Sequence, residues 1–471
     1  MWFSRLAIAL LFTSAASAGS TGDLADLTRR ILVDLIRLDT TNPPGNETRV
    51  AEYLKKLCET EGIAAQTLGD DPSRLNFIAR LPGLGKLRPL LLMAHSDVVP
   101  ADRSQWKADP FLGEIRDGFI YGRGAQDDKS LLAGELAVLV DLKRRGVKLD
   151  RDIILLSEAD EEAGSTGIQW LIANAWDKID AEFALNEGGF AITTASGQRV
   201  YEIQTTEKIP TRVVLVAHGT AGHGSLPRDD NPVLHLARAI ERITEADQPV
   251  HLNTTTRRYL HELAKLPDDQ WLEPLLPKLE NARTAMAAAA QIRARDRELD
   301  AMLRTTVSPT MLSAGTKINV IPNSAEAQID VRRLPEETHD EILERLRRMI
   351  HDPAVEVRTA PGQEMPATEP SGVSTTLYRA MQQTFLAAAP GALVTPYMVR
   401  GATDGSFLRQ KGMAVYGVPL YLREDKESRA HGNDERISVE SLGSGANLLM
   451  QIVMAVSQIS GDQLAVPATA P

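Results

Sequence analysis

His95 and Asp97 stand two residues apart at the end of the apolar run Leu90, Leu91, Leu92, Met93, Ala94. In an extended chain, residues i and i+2 share a face. An imidazole and a carboxylate therefore leave the end of a buried strand together, where open α/β sheets gather their sites. Three acidic clusters follow. Gly122 and Gly124 open a loop that delivers Asp127 just before a helical pattern. A dinucleotide reading fails, because the third glycine position holds Asp127 and no acid follows at the required distance. Metal ligation or a helix N-cap suits Asp127 better. Glu158, Asp160, Glu161 and Glu162 put four acids into five residues beyond a second apolar run. Their repulsion is costly unless cations or solvent offset it. Adjacent Glu161 and Glu162 can divide the work, one holding metal and the other taking a proton from water. Glu187 ends a third short run, before Gly188 and Gly189, and His431 sits far downstream in a polar loop.

Each cluster alone also fits a structural role: a satisfied polar pair, a cap, a solvated acidic loop or a surface histidine. Together, two histidines and three or four carboxylates suit a pair of borderline cations such as zinc.

The elements that must position these groups are legible from periodicity. Helices are expected at residues 23–38, 47–61, 129–145 and 167–174, and strands at 77–81, 90–94, 152–157 and 183–186. This alternation predicts an α/β sheet covered on both faces. After residue 206 the order changes to strand 212–217, helix 232–243, strands 311–320 and 325–332, helix 336–350 and strand 355–358. That βαββαβ order predicts a second small domain, interrupted by an Ala- and Leu-rich helical insertion at about 257–304. Helices at 378–388 and 442–457 return to the first domain. The expected organisation is therefore a leader at 1–18, a catalytic domain in two parts (19–206 and 367–460), an inserted lid at 207–366 and a flexible tail at 461–471. Hinges are expected near residues 206 and 363–369.

The 471 residues exceed one compact core. A net charge of −11, from 63 acidic and 52 basic side chains, argues against a nucleic-acid partner. The single cysteine, Cys58, excludes an intramolecular disulfide and reads as a small core residue. Residues 1–18 carry Arg5, a short apolar stretch and Ala16, Ser17, Ala18, the pattern of a secretory signal. The mature chain is expected to be exported, with no membrane span.

The motifs around His95 to Pro100, residues 122–129, Asp160 to Glu162, Asn186 to Gly189 and His431 occur in the order found in one family, which the chain resembles. This is the co-catalytic zinc metallopeptidase family of aminoacylases, glutamate carboxypeptidase and succinyl-diaminopimelate desuccinylase. Val98, Val99 and Pro100, the Glu187-Gly188-Gly189 run and the helical insertion look most like its carboxypeptidase S and secreted N-acyl amino acid hydrolase branch. The resemblance implies a di-zinc exopeptidase-like catalytic domain, a mixed sheet flanked by helices, with an inserted ferredoxin-like lid and dimerisation domain.

It also implies roles. Asp127 would bridge two Zn2+ ions, His95 and Glu187 would complete one ligand set, and Glu162 and His431 the other. Asp97 would hold the His95 ring, and Glu161 would be the general base. The Asp127–Asp128 peptide would be cis. His223, in the lid, would stabilise the oxyanion, often in the partner subunit's site. Asn319 and Arg332 would contact the substrate carbonyl and carboxylate, and Gly401 and Thr403 would belong to a substrate-side loop. The expected reaction is hydrolysis of an amide next to a free α-carboxylate, on a small peptide or an N-acyl amino acid. A deacylase for lipid-like acyl chains is the alternative enzyme, and a non-catalytic binding protein the alternative class. A nucleophilic Ser225 lacks the Gly-x-Ser-x-Gly elbow.

Overall fold

Strand Leu90–His95 alternates between two cores. Leu90, Leu92 and Ala94 join one apolar cluster, while Leu91 and Met93 join another on the opposite face. Its neighbour Ile153–Glu158 does the same with Ile153 and Leu155 against Ile154 and Leu156. A strand buried on both faces must be apolar throughout, which is why these runs lack the polar alternation of a half-exposed strand. The computed structural model describes residues 21–360, 365–423 and 428–458. The expected leader, the tail and part of the second expected hinge lie outside them.

Both strands belong to a mixed nine-stranded sheet whose centre is parallel. Ile153–Glu158, Leu90–His95 and Phe183–Asn186 lie side by side in that order and run the same way. On one face pack helices Thr21–Arg37, Thr48–Thr60, Lys129–Arg144, Thr376–Ala388 and Val439–Ser457, and on the other Thr166–Asn174 and Gly405–Gln410. The α/β architecture with helices on both faces is as expected.

Among the described residues, Val439–Ser457 is long and apolar enough to cross a membrane by length and composition. It contains the helix expected at 442–457, although no span was expected there. It packs against Thr21–Arg37, Lys129–Arg144 and Thr376–Ala388, so its apolarity serves the core. Cys58 is fully buried in the same core.

Strand Arg199–Glu207 ends the large sheet's first share of the chain, which returns with Leu393–Val399 and Ala414–Gly417, and Ile209–His218 opens a second, four-stranded sheet. Its chain order is βαββαβ and its strands are antiparallel: Thr306–Ala314, Ser324–Arg333, Ile209–His218, Val355–Thr359. Helices Pro232–Glu245 and His339–Ile350 close its own core around Val213, Leu215 and Ile329. Lys208, buried between the two sheets, donates its Nζ to Ala301 O (3.0 Å), Arg304 O (2.9 Å) and Thr306 Oγ1 (3.1 Å). The helical segment from Thr254 to Met302 packs on the end of the large sheet, sharing a cluster with Val200, Tyr397 and Met398.

Candidate active site

Three adjacent parallel strands point their carboxyl ends at one place. Neighbouring strands lie about 4.8 Å apart, so groups leaving adjacent ends meet without long loops. His95 ends the central strand, Glu161 and Glu162 follow one neighbour, and Glu187 follows the other. The Asp127 loop, which ends in a cis Asp127–Asp128 peptide, and His431 complete the cluster. His95 Nε2 is 2.9 Å from Asp127 Oδ1, and His431 Nε2 is 3.1 Å from both Asp127 Oδ2 and Glu162 Oε1. Two sets of potential ligand atoms, His95–Glu161–Glu187 and His95–Asp127–Glu162, each lie within 4.8 Å of one another.

The electrostatics fit cations. Burial, followed by the charge of Glu187, pushes the Glu161 pKa well up, and burial with Asp127 does the same to Glu187. Burial also raises Asp128, one of whose oxygens has no partner among the described residues. Hydrogen bonds donated to the Asp127 and Glu162 carboxylates raise His431 to about 10. His95 is held well up by Asp127 and Asp97 against burial, and the two histidines hold Asp127 below the carboxylate range against its own burial. Carboxylates crowded out of water are mutually repulsive, and nitrogen and oxygen donors at this spacing can hold borderline divalent ions.

Asp97 does more than hold the His95 ring. The ring Nδ1 is 3.0 Å from the Asp97 backbone carbonyl and 3.6 Å from its carboxylate. That fully buried carboxylate instead accepts the backbone N–H of Glu161 (3.2 Å), that of Glu162 (3.1 Å) and Asn42 Nδ2 (2.7 Å). It thereby sets the loop that carries the expected base and one expected ligand.

Glu435 plays the matching part for Asp127. Buried, it accepts the backbone N–H groups of Gln126 (2.7 Å), Asp127 (3.2 Å) and Gly124 (3.2 Å), and Arg123 Nη1 at 2.6 Å. It ties the His431 loop to the glycine loop. Neither Glu435 nor Asn42 is distinguishable from ordinary loop polarity in the sequence. The one available signal was an acid four residues past His431.

A cavity of about 820 Å³ opens over the cluster. Asp127, Glu161, Glu162, Glu187 and His431 line it, with Arg332, Gly401 and Thr403. The Thr403 hydroxyl is engaged with Glu207 at 2.9 Å, and Arg332 Nε with Asp330 at 3.0 Å. Arg333 is buried on Thr211, so Arg332 is the member of the pair at the cavity. His223 and Asn319 are elsewhere. They are exposed on a two-stranded ribbon, Gly222–His223 with Val320–Ile321, and do not line the cavity. Ser225 lies there too, 2.7 Å from His223 Nδ1.

A family model described as peptidase family M20/M25/M40 matches residues 91–455. The chain belongs to this family. It is 29% identical over 374 residues to the Homo sapiens N-fatty-acyl-amino acid synthase/hydrolase PM20D1, covering 78% of this chain and 74% of that one. With Sus scrofa aminoacylase-1 it shares 27% over 325 residues, 68% of each chain. The fold is that of the M20 metallo-carboxypeptidase Sso-CP2 from Sulfolobus solfataricus, with a TM-score of 0.69 at 21% identity over 90% of this chain and 98% of that one. Human carnosine dipeptidase 1 superposes with a TM-score of 0.67 at 17% identity, covering 93% and 98%. As an M20 member the chain is an enzyme of the metallopeptidase and amidohydrolase type, and the binding-protein alternative falls away.

Proposed function

We propose that this M20 enzyme hydrolyses an amide bond next to a free α-carboxylate, on a dipeptide-like or N-acyl amino acid substrate, with two zinc ions in the His95–Asp127–Glu187 and His431–Asp127–Glu162 sets. The carrying observation is that His95 gathers ligand-competent oxygens of Glu161 and Glu187 on one side and of Asp127 and Glu162 on the other, with His431 3.1 Å from Asp127 and Glu162. Bound zinc ions supply Lewis-acid polarisation of a carbonyl and acidification of water. The chain's own residues do the rest. Glu161 takes a proton from the attacking water on a carboxylate oxygen and delivers it to the leaving amine nitrogen. Arg332 offers a planar fork to the α-carboxylate. Gly401 and Thr403 shape the wall around it. The apolar lining from Phe119, Leu131, Phe407 and Leu420 accommodates an acyl or side-chain group, which supports the deacylase version alongside the peptidase.

His223 and Asn319 reach a site through a second copy of the chain. Met311, Leu312, Ile318 and Leu226 are exposed around the edge strand Thr306–Ala314 and the ribbon. An exposed apolar edge strand is a ready pairing surface. Export after removal of residues 1–18 completes the proposal.

The test is joint. Metal analysis of the purified mature chain should find close to two zinc ions. Hydrolysis of dipeptides and N-acyl amino acids should vanish on chelation and return with zinc. A reconstituted chain that takes up no metal would sink the assignment, and the preferred substrate would separate peptidase from deacylase.

A further inference from the structure

The cavity carries a positive wall that this reaction does not use. Arg400 and Arg423 both line it. The Arg423 guanidinium lies 3.9 Å from the Phe190 ring centroid, and its backbone N–H is anchored on Ala191 O at 2.8 Å. Among the described residues that guanidinium has neither a hydrogen bond nor an ion pair. Arg400 Nη1 is 2.9 Å from Glu298, whose side chain is 70% exposed, and 3.2 Å from Tyr397 Oη. The Phe190 and Tyr397 rings join the two arginines, edge to face with centroids 5.7 Å apart.

Of the two arginines, Arg400 has a carboxylate in contact and, among the described residues, Arg423 has none. Burial lowers the Arg423 pKa; Glu202 and Tyr397 work against this, and the Arg400 charge adds to it. The buried acid beneath them, Glu202, accepts the Tyr259 hydroxyl and is pushed up to about 7 by burial, so it is only partly ionised at neutral pH. A half-buried guanidinium without a carboxylate loses solvation that nothing returns. Its stack on Phe190 fixes the plane of its donors in advance, which favours bidentate capture of a planar anion. The carboxylate cluster lines another part of the same cavity.

We propose that Arg423, with Arg400 beside it, receives a second carboxylate of the substrate, separate from the α-carboxylate assigned to Arg332. The preferred substrates are then amides carrying two carboxylates, such as acidic dipeptides or amino acids acylated by a dicarboxylic acid. This rests on the hydrolase reading above.

Two matched pairs test it: N-hexanoyl- against N-adipoyl-glycine, and N-acetylglutamine against N-acetylglutamate. The quantity read is the ratio of kcat/KM, dianion over monoanion, in the zinc-loaded wild type, Arg423→Gln and Arg423→Lys. At least one pair should favour the dianion by about tenfold or more, as one charge-assisted hydrogen-bond pair allows. Arg423→Gln should bring that ratio to near one, and Arg423→Lys should restore part of it. Equal use of both members, or a preference unchanged in Arg423→Gln, would overturn the proposal. The same four compounds are also titrated calorimetrically against the zinc-loaded wild type and Arg423→Gln. A dianion preference in binding that Arg423→Gln abolishes, without turnover of any compound, removes the hydrolase reading and keeps the anion wall. No preference in binding or turnover removes the wall.

Discussion

The carboxylate cluster and the His223 ribbon are both tied to the same reaction by the family resemblance, yet they are built in opposite ways. The cluster sits at the ends of three adjacent buried strands, and its loops are fixed by the buried carboxylates of Asp97 and Glu435. The ribbon is two residues on each side, with His223 exposed, and lies outside the cavity. A chemistry of proton transfer needs sub-ångström placement before substrate arrives, and rigid sheet ends provide it. A donor that acts on a developing charge can be brought in later, by closure or by a second subunit.

The sharpest way to break this contrast is at the cluster. Glu161→Gln should lower kcat by about 10²–10⁴-fold, with zinc content unchanged by metal analysis. Near-normal turnover in that variant would move the base elsewhere. At the ribbon, His223→Ala should cost about 10²–10³-fold in kcat, the scale of one lost oxyanion donor. Mixing the inactive His223→Ala and Glu161→Gln chains should restore activity, because a mixed pair has one site with both groups intact. Failure to complement would place His223 in its own chain's site.

A smaller effect is expected at the supporting shell. Glu435→Gln leaves three backbone N–H groups with a weaker acceptor and should weaken zinc binding by about 10–100-fold, read by competition with a chelator. An unchanged affinity would show that the Asp127 loop holds itself.

The smallest effect concerns the junction between the two sheets. Burial lowers the Lys208 pKa to about 7, against about 10.4 in an unfolded chain. Between those values the unfolded state binds the extra proton, so this group makes stability rise with pH. Denaturation of wild type and Lys208→Met from pH 7 to 10 should differ in slope by up to about 1.4 kcal/mol per pH unit. Parallel curves would mean that the amine is solvated.

Several parts of this were legible in the chain. The runs at Leu90–His95 and Ile153–Glu158 are wholly apolar because both faces are buried, so composition alone marks them as central. His95 and the acids at 158–162 end or follow these runs at once, so for them position along the chain already implies position in space. Strand Arg199–Glu207 was missed because its later residues are polar yet buried: Gln204 donates to Glu207, which also accepts the Thr403 hydroxyl, and Thr205 meets Thr255, contacts that no periodicity reveals. The strand Leu393–Val399, whose partner among the described residues is that strand, was missed with it.

The sequence by itself determined the α/β class, the βαββαβ insertion and the set of metal-competent side chains. Each is encoded within a few residues, by period or by a motif at a strand end. Only the tertiary structure decided that Asp97 spends its carboxylate on the Glu161 loop, that Glu435 holds Asp127 and that Arg423 stacks on Phe190 with no ion pair among the described residues. Those partners are separated by tens to hundreds of residues. Whether a buried charge is compensated depends on what folding brings beside it, and no local pattern carries that information.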